Sequence, residues 1–351
     1  MITISKEIEL ASGYELSKLG PLNELIFFDI ETTGFTPNSS SLYLIGVVYH
    51  QSGSWQLKQW FADSMAAEQE LLTSFFDFIT KYKILVHFNG DSFDIPYLKK
   101  CAAQYGISPT FDQIQSFDIY RKVRPLRRIL GLENLKQKSI ETFLGLDRFD
   151  QFNGGQLIEF YKEYLITKDD KLYQFLLLHN EEDLKGMPQI LSILDYTDIL
   201  QSQWTIEKHD YDKEASRLMI ETVSTVSVPV PFQFANTQYQ LHVENNILHF
   251  SIPVYETELK YFYENYHDYY YLPDEDMAIH KRVAQYVDKD HRVQATASNC
   301  YTKRHGLFLP GVDRDLFPVF KSEADSKIYY HEYLDDIDFL NAYLHQMVLS
   351  L

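Results

Sequence analysis

The stretch Phe27-Phe28-Asp29-Ile30-Glu31-Thr32-Thr33-Gly34 decides how this chain is read. An apolar run ends in two carboxylates placed two residues apart. If Leu25–Ile30 is a strand, Asp29 and Glu31 leave the same face, because strand side chains alternate with period 2. Like charges side by side are unfavourable unless something positive lies between them. A divalent cation meets that need, since hard cations take carboxylate oxygens. By itself the pair also reads as a solvated strand end, so the rest of the chain must choose.

Around this stretch, strand and helix patterns alternate. Leu25–Ile30, Leu42–His50 and Trp55–Phe61 read as strands, and the Gln51-Ser52-Gly53-Ser54 break predicts a hairpin between the last two. Ala67–Tyr82 carries Leu71, Leu72, Phe75, Phe76 and Ile79 at helical spacing. Ile84–Phe88 reads as a short strand, Ile95–Tyr105 as a helix ending before Gly106, and Ile114–Ile119 as a fifth strand. Two or three helices then run to about Tyr196. This order predicts an α/β fold, a mixed sheet with helices on both faces.

The composition changes near residue 205, which separates a first domain over 1–200 from a β-rich α+β region over 205–351. Val223–Tyr271 is rich in Val, Tyr, Phe and His, and Asn245-Asn246 reads as a hairpin turn between short alternating runs. Helices are expected over Met277–Tyr286 and Asp335–Val348.

Three further segments join the opening pair. His87-Phe88-Asn89-Gly90-Asp91-Ser92-Phe93-Asp94-Ile95-Pro96 puts Asp94 where a strand has ended and a helix begins, as a metal ligand or as a helix N-cap. His179-Asn180-Glu181-Glu182-Asp183 lies in a helical pattern, so His179 and Asp183, four apart, share a face. The neighbouring Glu181 and Glu182 leave a solvated face as the other reading of Asp183. Finally, Arg121 to Lys138 holds Arg121, Lys122, Arg124, Arg127, Arg128, Lys136 and Lys138 against a single acid, Glu133. Lys and Arg contacts to phosphates supply most sequence-independent affinity for nucleic acid.

Asp29-x-Glu31, Asn89-x-x-x-Phe93-Asp94 and His179-x-x-x-Asp183, in this order, resemble the three motifs of the DEDD 3′–5′ exonuclease superfamily. With Leu132-Glu133-Asn134-Leu135-Lys136 and Ile140-Glu141-Thr142-Phe143-Leu144-Gly145-Leu146, the chain is most similar to the YprB-like, RNase H-like exonuclease domain over roughly residues 22–197. The resemblance implies a ribonuclease H-like fold and two divalent metal ions, Mg²⁺ or Mn²⁺, held by Asp29, Glu31, Asp94 and Asp183, with Asp29 bridging them. Two such ions serve both ends of an in-line phosphodiester displacement. It also implies His179 as general base, which suits an imidazole titrating at about 6.5. One branch of the family has Tyr four residues before the last Asp, and the other has His five before it. His at the four-residue spacing leaves His179 two roles, base in the place of Tyr or orientation of a water. Asn89 is implied near the scissile nucleotide. Thr32 and Thr33, in a tight turn with Gly34, are candidates to meet the terminal nucleotide, as are Phe93, Arg124, Arg127, Arg128 and Lys136 along the substrate.

The remaining features set bounds. A net charge of −18 argues against binding a polyanion over the whole surface, though not in a local basic patch. Cys101 and Cys300 read as free buried thiols. No apolar run approaches the roughly 20 residues a membrane span needs, and the N-terminus lacks the pattern of a secretory leader. The chain therefore reads as cytoplasmic, without a membrane partner. Lys303-Arg304-His305 is a second, smaller basic candidate, and Tyr261–Tyr271 reads as packing rather than as a base-stacking surface.

Together these point to a metal-dependent 3′–5′ exonuclease with single-stranded DNA or RNA as partner. A structure-selective endonuclease and a catalytically weak nucleic-acid-binding scaffold remain as alternatives. Protein partners are left open.

Overall fold

The computed structural model describes residues 1–146, 152 and 154–349. The chain divides into two compact units, Met1–Asp198 with Val228–Val230, and Ile199–Ser227 with Pro231–Leu351.

The first unit is built on six strands: β1 (Ile2–Ile8), β2 (Leu25–Thr32), β3 (Leu42–Gln51), β4 (Ser54–Phe61), β5 (Ile84–His87) and β6 (Gln115–Asp118). Their order is β1-β4-β3-β2-β5-β6. The first four are antiparallel neighbours, and β5 and β6 are added in parallel. Parallel neighbours need a crossover, which α1 (Glu68–Ile79) and α2 (Asp94–Gln104) provide. Leu42–Tyr49 is buried throughout, as expected for a strand covered on both faces. The β3–β4 turn places Ser52 and Gly53 at φ 53° and 88°, the positive values that match the twist of a hairpin. This is the mixed, ribonuclease H-like sheet expected.

Two details of the expectation are corrected. The sheet has a sixth strand, β1, along the edge of β4. Its apolar residues alternate only at Ile2 and Ile4 before the polar Ser5-Lys6-Glu7, too little pattern to mark a strand without its partner. After β6 there are five helices among the described residues rather than two or three: α3 (Ile119–Val123), α4 (Gln137–Phe143), α5 (Gly154–Thr167), α6 (Asp170–Ile190) and a further one over Asp195–Gln201. The short ones make two turns or less, so no hydrophobic period develops. Helix α6 is the long one; Asp169 caps it by accepting from the Lys171 N–H, and it packs on β2 and β3.

The second unit is β-rich. Strands β7 (Trp204–Asp212), β8 (Arg217–Ser224), β9 (Phe232–Ala235), β10 (Gln240–Glu244) and β11 (Ile247–Pro253) form a sheet in the order β7-β8-β11-β10-β9. Asn245, at φ 53°, turns the β10–β11 hairpin as expected. A closed four-stranded barrel, a three-stranded sheet and a helix over Ile337–Leu349 complete the unit. The helix expected over Met277–Tyr286 is corrected: Met277–His280 is a strand paired with Tyr269–Leu272, and only Lys281–Ala284 is helical. The His280 ring accepts from the Arg282 N–H and so starts that helix late. Tyr263 and Tyr269 stack at 4.5 Å and pack beside Ala278, Ala295 and Cys300, in keeping with the packing reading. Cys101 and Cys300 are free and buried. Among the described residues no helix is long and apolar enough to cross a membrane.

Candidate metal centre and adjoining cleft

Strand β2 delivers the first two carboxylates. Its ladder with β3 shifts register between Glu31 and Thr32, a bulge of the kind that re-aims side chains at strand ends. Asp29 and Glu31 leave one face, towards α6. The turn after them is closed by its own hydroxyls. Thr32 Oγ1 donates to Gly34 O at 2.8 Å, and Thr33 Oγ1 accepts from Ser41 N at 2.8 Å. Both hydroxyls are thus engaged in shaping the loop that carries Phe35, 89% exposed and edge-on to Phe93 at 6.2 Å.

Asp94 opens α2 and is 7% exposed. It is not the N-cap, which is Phe93. The loop before it is held from below. Asn89 adopts φ 61°, and its N–H donates to Asp118 Oδ1 at 2.9 Å; the Gly90 N–H donates to His87 Nδ1 at 3.0 Å. Asp118 and His87 are themselves buried, so this loop is fixed by the ends of β5 and β6.

Helix α6 brings the third motif. His179 Nε2 lies 3.3 Å from Asp183 Oδ2 and 3.6 Å from Glu31 Oε1. One ligand atom each from Glu31, His179 and Asp183 falls within 4.8 Å of the others. Asp29 lies close enough to feel the charges of Asp183, Glu31 and Asp94. Glu181 is turned away, 2.6 Å from both Lys6 and Lys185. The Tyr43 hydroxyl reaches Glu31 Oε2 at 3.5 Å.

The electrostatics follow from burial. Asp29 is held well above the ordinary carboxylate range, first by desolvation and then by Asp183, Glu31 and Asp94, against one hydrogen bond from Asn180. Asp94 is pushed up to about 7 by burial, while the backbone N–H groups of Asp94 and Ile30 pull the other way. Such a group of acids is frustrated without a cation, and its oxygen-rich donor set suits Mg²⁺ or Mn²⁺. These residues therefore fit a divalent metal site.

Beside the carboxylates opens a cleft of about 740 Å³, lined among others by Asp29, Asn89, Phe93, Asp94, Arg127 and Lys136. A second cleft of about 620 Å³ shares Tyr120, Arg127 and Leu135 with it and adds Arg124 and Arg128. Val123, Leu126, Ile129 and Leu130 are buried, which turns the arginines of this segment outward. Arg127 also holds the segment together, donating to Leu132 O and Glu133 O. Arg121 pairs with Asp91 at 2.8 Å. The smaller basic group is neutralised: Lys303 pairs with Asp276 and Glu258, and Arg304 with Glu332.

Sequence reasoning missed four residues here: Asn180, Gln59, Gly46 and Asp118. The signal for the first two was a polar residue in an apolar stripe. Asn180 falls between Leu176 and Leu184 at helical spacing, and Gln59 between Leu57 and Phe61 at strand spacing.

Residues 26–194 match the sequence profile of the RNase H superfamily. DNA polymerase 1 of Sulfurisphaera ohwakuensis is 28% identical over an alignment of 123 residues, with 26% of this chain and 14% of the polymerase covered. Among solved structures, the family B DNA polymerase of Pyrobaculum calidifontis is similar at 16% identity and a TM-score of 0.41, over 50% of this chain and 25% of that one. An exonuclease I structure is similar at 12% identity and a TM-score of 0.30, over 57% of this chain and 55% of that one. A zinc-bound E. coli exonuclease I complex with single-stranded DNA gives 12% and 0.30, over 57% and 54%. The chain spans 14% of the length of the curated relative it matches.

Proposed function

We propose that this protein is a metal-dependent 3′–5′ exonuclease acting on single-stranded DNA or RNA. The observation that carries the reading is the convergence of three separated segments, with ligand atoms of Glu31, His179 and Asp183 within 4.8 Å and Asp29 and Asp94 beside them. The match to the RNase H superfamily profile over residues 26–194 supports it, as does the order of the motifs.

In this reading Asp29, Glu31, Asp94 and Asp183 hold two divalent ions, Mg²⁺ or Mn²⁺. When bound, such ions polarise the attacking water and stabilise the leaving oxygen. His179 takes the proton of that water, from a ring already within 3.6 Å of two carboxylates. Phe35 and Phe93 offer aromatic faces against which a terminal base can stack. The terminal nucleotide occupies the cleft lined by Asn89 and Asp94, and the phosphates behind it follow Arg124, Arg127, Arg128 and Lys136. The role of the second unit belongs to substrate retention or partner binding.

The test is cleavage of 5′-labelled single-stranded DNA and RNA with Mn²⁺ or Mg²⁺, with Asp29→Ala beside the wild type. A ladder shortening from the 3′ end, absent in the variant, is the expected result. Internal cuts would replace the reading with an endonuclease, and binding without cleavage would replace it with a scaffold.

A further inference from the structure

Asp29, Gly46 and Gln59 stand in one row across β2, β3 and β4, Gly46 facing Asp29 on one side and Gln59 on the other. Asn180 of α6 lies over this row. A Cβ on Gly46 would come within 1.9 Å of Asn180 Oδ1, so the glycine is the notch that admits the amide. Asn180 is 0% and Gln59 1% exposed.

The polarity of the bonds is determined. Gln59 Nε2 donates to Leu177 O at 2.9 Å, and a carbonyl only accepts, so Gln59 presents its NH₂ to the helix. Its other proton goes to Asn180 Oδ1 at 2.9 Å. That leaves the Asn180 NH₂ for Asp29, and Nδ2 donates to Asp29 Oδ2 at 2.9 Å. A helix carbonyl thus fixes a two-amide relay that ends on the Asp29 carboxylate.

We infer that Gln59 and Asn180 are positioning residues for the metal centre: through the Gly46 notch they hold one oxygen of Asp29 and turn the carboxylate towards the cation. The inference rests on the metal-dependent reading above. Buried amides are costly to leave unpaired, and here both are paired in a chain that ends on a single carboxylate. Partners that orient a metal ligand commonly matter roughly 10–100-fold in metal affinity or activity.

The experiment is Mn²⁺ titration of the full chain by calorimetry, for wild type, Asn180→Ala and Gln59→Leu, with a thermal melt of each metal-free protein. Asn180→Ala is expected to weaken Mn²⁺ binding by roughly 10–100-fold, and excess Mn²⁺ is expected to restore most of the cleavage rate. A folded Asn180→Ala with wild-type Mn²⁺ affinity overturns the inference. If Asn180→Ala does not fold, Gln59→Leu leaves Asn180 in place; a loss in the same direction supports the relay, and unchanged affinity overturns it. A wild type that binds Mn²⁺ without cutting nucleic acid would end the nuclease reading and leave this measurement standing. A wild type that binds no Mn²⁺ would end both.

Discussion

His179 Nε2 stands 3.3 Å from Asp183 Oδ2, one turn along the same helix, and 3.6 Å from Glu31 Oε1 on the strand below. A ring so placed can take a proton from a water held between those carboxylates, or ligate a cation itself. The two roles separate in one variant. As general base, His179→Ala lowers kcat by roughly 10²–10⁴-fold and leaves Mn²⁺ affinity near wild type. Measured side by side, single-turnover rates and Mn²⁺ titration decide it. A parallel collapse of Mn²⁺ affinity would reassign His179 as a ligand.

Burial and three neighbouring charges hold Asp29 well above the ordinary carboxylate range. Asp29→Asn keeps the shape and an oxygen for the Asn180 N–H, but removes the charge. Mn²⁺-dependent cleavage should vanish while the metal-free protein melts at a higher temperature than wild type. Activity assays and calorimetric melts check the two halves. A lower melting temperature with a native circular dichroism spectrum would mean that Asp29 is not electrostatically strained in the metal-free state.

The pH dependence follows from Asp94. Its carboxyl ordinarily titrates at 3.8 and here at about 7. A raised acid binds its proton more tightly in the folded state, so its contribution is fully present below 3.8 and is lost as pH rises through about 7. The full gap corresponds to on the order of 4 kcal/mol at ~1.36 kcal/mol per unit. Metal-free stability should therefore decline from about pH 4 to about pH 7 on account of this group. Metal binding displaces the proton, so stabilisation by Mn²⁺ should grow over the same window. Melts at about pH 5 and about pH 8, with and without Mn²⁺, test both trends. In Asp94→Asn the metal-free decline should be smaller.

Local rules reach far into this site and then stop. Strand period 2 puts Asp29 and Glu31 on one face, and helical spacing does the same for His179 and Asp183. Those rules use only near neighbours in sequence. Gly46, Gln59 and Asn180 act through a stack of two strands and a helix, and Gly46 is separated from Asn180 by more than a hundred positions. Their signal, two amides at apolar positions, has meaning only once β3, β4 and α6 are superposed. The same limit explains β1, which reads as a strand only beside β4. Thr32 and Thr33 mark the opposite case: the turn was legible, while the engagement of their hydroxyls with Gly34 and Ser41 depends on how the loop folds back.

The arginine-lined cleft supplies the last prediction. Arg124 and Lys136 are exposed on the walls of the two adjoining clefts. Lys303 and Arg304 are equally basic in sequence but are matched by Asp276, Glu258 and Glu332. Each lost phosphate contact to a single strand lowers the slope of log affinity against log salt by about 0.7. Arg124→Ala and Lys136→Ala should each weaken oligonucleotide binding and reduce that slope by about 0.7, raising KM with little change in kcat. Arg304→Ala, whose charge is already paired, should leave both slope and KM within error. Fluorescence anisotropy over a salt series with a labelled single strand measures the slopes. Equal effects in Arg304→Ala and Arg124→Ala would mean that the substrate follows overall charge rather than this cleft.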